Sequence, residues 1–159
     1  MPNLFSILSN LFKPARSKFP SDSATEPAQI TQSKVLVIVY DPIMDKSTGA
    51  TLSQQQRWYR PADLIIGFMA DMLEASGGMA RYQIVQRVDV DEFPAKTDGF
   101  RYTPQTYMNV LLRTAAPHIP QEANYNAIIS QYNILQRVAR NEIDEVWIFG
   151  FPHAGFYES

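Results

Sequence analysis

Residues 35–40 read Val35-Leu36-Val37-Ile38-Val39-Tyr40, an unbroken apolar run rich in β-branched side chains. A strand with one wet face alternates apolar and polar residues. A strand covered on both faces need not, so this run predicts a central, doubly buried strand. Asp41-Pro42 ends it, because proline has no N–H to give to a ladder. The polar stretch DPIMDKSTGATLSQQQRWYR (41–60) then reads as a long loop. Pro61 stands where a first helical residue loses nothing by its missing N–H. Leu64, Ile65, Phe68, Met69, Met72 and Leu73 recur at helical spacing, and Gly77-Gly78 follows. That pattern predicts an amphipathic helix with one broad apolar face and a glycine stop.

Downstream, RYQIVQRVDV (81–90) sets Tyr82, Ile84, Val88 and Val90 against Gln83, Arg87 and Asp89. This is the period-two signature of a second strand. Residues 91–102 read as loop. Thr103-Pro104 is a cap followed by a first-turn proline, opening a short helix with Tyr107, Val110 and Leu111 inward. Segment 122–140 is predicted mostly helical. The competing pattern is a short strand over 126–132, with Asn133 capping a helix that runs to Arg140. Val146–Phe149 is a last buried strand, entered through Asp144-Glu145 and left through Gly150.

Helices alternating with apolar strands predict the α/β class, as a three-layer Rossmann-like or flavodoxin-like sandwich with a mostly parallel sheet. The expected division is an extension over 1–33 and an α/β domain over 34–159. A doubly wound fold normally follows such a last strand with a further helix and strand. The expectation is therefore a fold truncated at the C-terminus.

The chain has 159 residues, 45% hydrophobic and 19% charged, which suits one folded domain. Lys plus Arg number 14 and Asp plus Glu 16, a net charge of −2 that lacks the basic footprint of a nucleic-acid partner. The absence of cysteine excludes disulfides, thiolate zinc sites and cysteine nucleophiles. No run approaches the ~18–20 apolar residues of a transmembrane helix. In the extension, Leu4, Ile7, Leu8 and Leu11 fall at helical spacing, Lys13, Arg16 and Lys18 follow, and a polar linker completes it. A short amphipathic helix over 4–12 suggests peripheral docking to a membrane surface or a protein. A signal peptide carries its charge ahead of the apolar run, so this order points to the cytoplasm.

Ligands of open α/β sheets bind beyond the carboxyl ends of the strands. Those ends carry Asp41, then Asp89, Asp91 and Glu92, then His153 and Glu158. If they converge, Asp41, Asp89, Asp91 and His153 form a candidate set for a divalent metal, with His153 and Glu158 as acid–base catalysts of a metal-assisted hydrolysis. Against this, acids at strand ends commonly cap helices or loop N–H groups, and no spacing here matches an established metal motif. In GFPHAG (150–155) the glycines allow a sharp turn or the close approach of a ligand. Arg57-Trp58-Tyr59-Arg60 offers rings able to stack on a sugar or base, although the plainer expectation is a loop that packs them back onto the domain. No G-x-S-x-G, G-x-G-x-x-G, Walker or H-E-x-x-H pattern is present, so serine hydrolysis and classical nucleotide binding find no support.

The runs VDVDEFPAKTDGFRYT (88–103) and IDEVWIFGFPHAGFYES (143–159) resemble an uncharacterised family of bacterial proteins, often secreted, to which no activity is attached. The resemblance covers about residues 34–159. It implies a chain that continues past the GFYES run and a secreted location, and it transfers no functional residue. The leading expectation for function is a domain that binds a ligand or partner through its carboxyl-end loops.

Overall fold

The computed structural model describes residues 29–157. The expected helix over 4–12 and Glu158 lie outside them. The elements are β1 (Thr31–Tyr40), β2 (Ile43–Asp45), β3 (Ala50–Thr51), α1 (Leu52–Gln56), α2 (Pro61–Ala75), β4 (Ala80–Val90), α3 (Pro104–Leu111), α4 (Tyr125–Gln131), α5 (Ile134–Ala139) and β5 (Glu145–Phe149).

The apolar run does form the middle of the sheet. β1 pairs in parallel with β4 on one side and β5 on the other, giving the order β4-β1-β5, and Val35–Val39 are all 0–1% exposed. Alternate residues of β1 serve two cores. Val35, Val37 and Val39 pack with Ile65 and Met69 of α2 and with Trp147 and Phe149. Leu36, Ile38 and Tyr40 pack with Ile128, Tyr132, Ile134 and Ile143 on the opposite face. Helices thus cover both faces, as expected of a parallel sheet.

β1 begins at Thr31, three residues ahead of the boundary expected at Lys34. Thr31 N–H donates to the carbonyl of Met79 at 2.9 Å, and Thr31 and Gln32 stay exposed. Backbone pairing without side-chain burial leaves no hydrophobic signal to read. The expected loop over 41–60 also holds the β2–β3 hairpin and α1.

A bulge changes the meaning of the alternation in β4. Val35 pairs with Ile84 but Leu36 with Gln86, so Val85 is an extra residue. Tyr82 therefore faces the α2 side, with Val35 and Trp147, while Val88 and Val90 face the α4–α5 side. The sequence pattern, read with strict period two, puts all of them on one face.

α2 starts at Pro61 and runs to Ala75, after which Gly77 and Gly78 take φ values of +62° and +85°. Its apolar face is only partly covered: Ile65 is buried, but Leu64, Phe68 and Leu73 remain 46%, 43% and 44% exposed. Of the broad apolar face expected, Ile65 and Met69 are the residues that pack into the core cluster with β1. Phe68 still holds an edge-on contact with Trp147, ring centroids 5.0 Å apart.

In 122–140 the helical reading holds, in two pieces. Asn124 Oδ1 accepts from Ala127 N–H at 3.0 Å to open α4, and Asn133, at φ +52°, breaks the run before α5. Asn133 makes no side-chain cap, so the expected capping role falls to Asn124 instead.

Candidate functional site

A third apolar cluster sits past the carboxyl ends of the strands: Leu52, Phe93, Tyr102, Tyr107 and Val110, with Phe151 packed against it. Thr103 opens α3 as expected, its Oγ1 accepting from Thr106 N–H at 3.2 Å, and so delivers Tyr107 to full burial. The Tyr107 hydroxyl donates to the carbonyl of Pro152 at 3.1 Å, and burial raises its pKa. Phenylalanine at this position removes one hydrogen bond and orphans one carbonyl; Tyr107→Phe is expected to cost about 1 kcal/mol in urea unfolding. An unchanged midpoint would show that Pro152 finds another donor.

This aromatic layer covers part of the rim where an open α/β fold exposes its loops. A cleft of about 620 Å³ remains between the ends of β1 and β5, lined by Tyr40, Asp41 and Ser53 on one side and by Phe149–Phe151 on the other. Its outer wall is the turn from α1 to α2, with Arg57, Trp58 and Leu64. Burial pushes the Tyr40 pKa up to about 12.

Asp41 organises this wall. Its Oδ1 accepts from Ser53 N–H at 2.8 Å, and its Oδ2 from Ser53 Oγ at 2.6 Å and Thr51 Oγ1 at 2.8 Å. The carboxylate is thus a local cap at the start of α1, satisfied by three donors. Arg57 closes α1 in the left-handed region at φ +56°, where Trp58 N–H donates to the carbonyl of Ser53 at 2.9 Å. Arg60 is held by Asp63 of α2 through Nε (2.8 Å) and Nη2 (2.9 Å). Among the described residues Arg57 has no carboxylate within ion-pair distance. Of the rings between the two arginines, Trp58 is 38% exposed and so mostly covered, whereas Tyr59 is 80% exposed. The plainer expectation of rings packed back onto the domain thus fails at Tyr59 and is met in part at Trp58.

The carboxylate–imidazole set does not assemble. Among the described residues no three His, Asp or Glu side chains stand close enough to hold a metal ion. Two members are committed elsewhere and the other two stand apart on the surface. Asp41 caps α1. Asp89 is exposed and pairs with Arg87 at 2.6 Å, and Asp91 is exposed beside Glu92, which pairs with Arg101 at 3.2 Å. His153 is exposed at φ +63° and borders a separate depression with Arg113 and Pro117. Its function in the fold is carried by its backbone carbonyl.

That carbonyl belongs to a feature the sequence did not announce. Lys96 is 1% exposed, and its Nζ donates to the carbonyls of Gln121 (2.7 Å), His153 (2.7 Å) and Ala154 (2.8 Å). Burial lowers its pKa, but three acceptors match the three protons of an ammonium, so the group is held charged. The Tyr102 ring lies under it at 5.6 Å. Gly155, at φ +92°, lets the last segment approach: a Cβ there meets the carbonyl of Gln121, and would sit 2.8 Å from Lys96 Nζ. At Gly150 a Cβ would stand 2.7 Å from the Phe156 ring. The glycines of GFPHAG therefore admit the protein's own chain.

Nearby, His118 stacks on Phe100 at 3.8 Å and its Nε2 lies 2.8 Å from Asp98 Oδ2. The Phe100 N–H, followed by His118, holds the Asp98 pKa below the usual carboxylate value. A depressed folded pKa contributes stability that is present above the unfolded pKa and lost as pH falls through the folded one. Asp98→Ala should accordingly lower Tm at neutral pH, with the gap to wild type closing in strong acid. A gap independent of pH would remove Asp98 from the acid response.

No family model matches the chain, and neither a curated protein nor a solved structure matches it. The functional residue missed in the sequence was Lys96 as a buried anchor, which left no local signal. The run Arg57–Arg60 was noted there as rings able to stack on a sugar or base, and its Arg57 and Trp58 line the cleft.

Proposed function

We propose that this is a Rossmann-like or flavodoxin-like domain that binds a small molecule in the cleft between the ends of β1 and β5. One observation carries the reading: the cleft lies where the chain order reverses. From central β1 the chain moves out to β4 on one side and returns to β5 on the other. Ligands of open α/β sheets collect at such switch points, because the crossover loops diverge there and leave a crevice. The cleft's size falls in the usual range for small-molecule sites, roughly 300–1,000 Å³, and its lining is mostly apolar with a few polar groups. Binding fits this lining better than hydrolysis does. Asp41 is taken up by three donors, and His153 borders a different depression.

The test is amide and indole chemical-shift mapping of the full chain with mixtures of fragment-sized aromatic compounds. Shifts gathered at Ser53, Gly150 and the Trp58 indole are expected. Shifts confined to the groove beside Val146, Ile148 and Tyr125, or no shifts, would overturn the reading.

A further inference from the structure

The cleft's chemistry narrows what it can hold, given that the switch-point reading stands. Two charged side chains line it, and they are not equivalent. Asp41 has its oxygens occupied by Ser53 and Thr51, so it offers little to a ligand cation. Arg57 pairs with no carboxylate among the described residues, while Arg60, three residues on, is taken bidentately by Asp63. The turn thus neutralises one arginine and leaves the other on the cleft wall. Beside it stand Trp58, 38% exposed, and the aromatic residues Tyr40, Phe149 and Phe151.

We propose that the cleft takes a planar aromatic or heteroaromatic molecule bearing a single anionic group, its ring against Trp58 and its carboxylate or sulfonate on the Arg57 guanidinium. A lone guanidinium matches one carboxylate bidentately, by its fork geometry. Several phosphates would demand more cations than the wall supplies, and would lie beside the Asp41 carboxylate. An exposed indole supplies a flat, amphipathic surface for a ring at small entropic cost.

The experiment is isothermal titration calorimetry of the full chain with naphthalene-2-carboxylate and with naphthalene-2-carboxamide, which differ in charge and little in shape. Wild type is expected to prefer the acid by about tenfold, the usual worth of a charge-assisted hydrogen bond over a neutral one. Arg57→Gln, an exposed position, should erase that preference by weakening the acid alone. Leu64→Trp, which narrows the cleft from a half-exposed site, should weaken both compounds. Near-UV circular dichroism checks that each variant is folded. Equal affinities untouched by Arg57→Gln, but both reduced by Leu64→Trp, would overturn the anionic class and leave the cleft reading in place. No binding by wild type, or binding that Leu64→Trp leaves unchanged, would overturn both.

Discussion

Lys96→Met is expected to cost the domain about 4 kcal/mol, the largest loss from any single side chain with an exposed-looking sequence context. Methionine keeps the length and the apolar stem but has no proton to donate. The carbonyl of Ala154 would then be buried without a donor, and the part-buried carbonyls of Gln121 and His153 would lose theirs. Each orphaned acceptor costs about 1–3 kcal/mol, partly offset because the charged ammonium no longer has to be desolvated. Against a typical total stability of about 5–15 kcal/mol, the variant would be marginal. Lys46, an exposed residue of the β2–β3 turn, provides the control, and Lys46→Met should shift the urea midpoint hardly at all. A loss under about 1 kcal/mol for Lys96→Met would mean that water or a local shift satisfies the three carbonyls.

Gly155→Ala attacks the same junction from the other side and is expected to cost about 3–4 kcal/mol by overpacking and backbone strain together. The added methyl collides with backbone at Gln121 and, at 2.7 Å, with the amide of Ala123, which donates to the Gly155 carbonyl. Backbone atoms cannot rotate out of the way as a flexible side chain can. Gly99 separates the two contributions. It has a comparable φ of +87° but open space where its Cβ would go, so Gly99→Ala should show the strain alone, about 1–2 kcal/mol. Equal losses at the two glycines would show that the contact at Gly155 relaxes and that only φ matters. Neither substitution touches the cleft wall at Arg57 and Trp58, so surviving protein should bind the naphthalene probe as wild type does.

The elements whose signals are local were legible in the residues. The β1 run, the Pro61 start of α2, the Thr103-Pro104 opening of α3 and the placement of VWIF in a strand each rest on a few neighbouring side chains. The α/β class and the parallel sheet followed from their order. The rim of the sheet was also identified as the place to look. The metal set assigned to it failed because residues at strand ends satisfy one another locally, as Asp41 does with Thr51 and Ser53, and Asp89 with Arg87.

Other features depended on distances that no run of residues encodes. The Val85 bulge reverses the facing of Val88 and Val90 because one unpaired residue shifts a period-two pattern onto the other side, while the string of letters still alternates. Lys96 sits in AKTDGF, which reads as a solvated turn; its partners are backbone carbonyls from two distant segments, and carbonyls are the same in every residue. Arg57 and Trp58 became a cleft wall only when Asp63 took Arg60 and β5 came to lie beside β1. The sequence by itself determined the longer strands and helices, because periodicity and capping act within a few residues, but not the short β2–β3 hairpin and α1 inside the stretch that reads as a loop. Tertiary structure alone decided which faces are covered, which lysine is locked inside and where the cleft opens, because burial and charge pairing are settled between residues far apart in the chain.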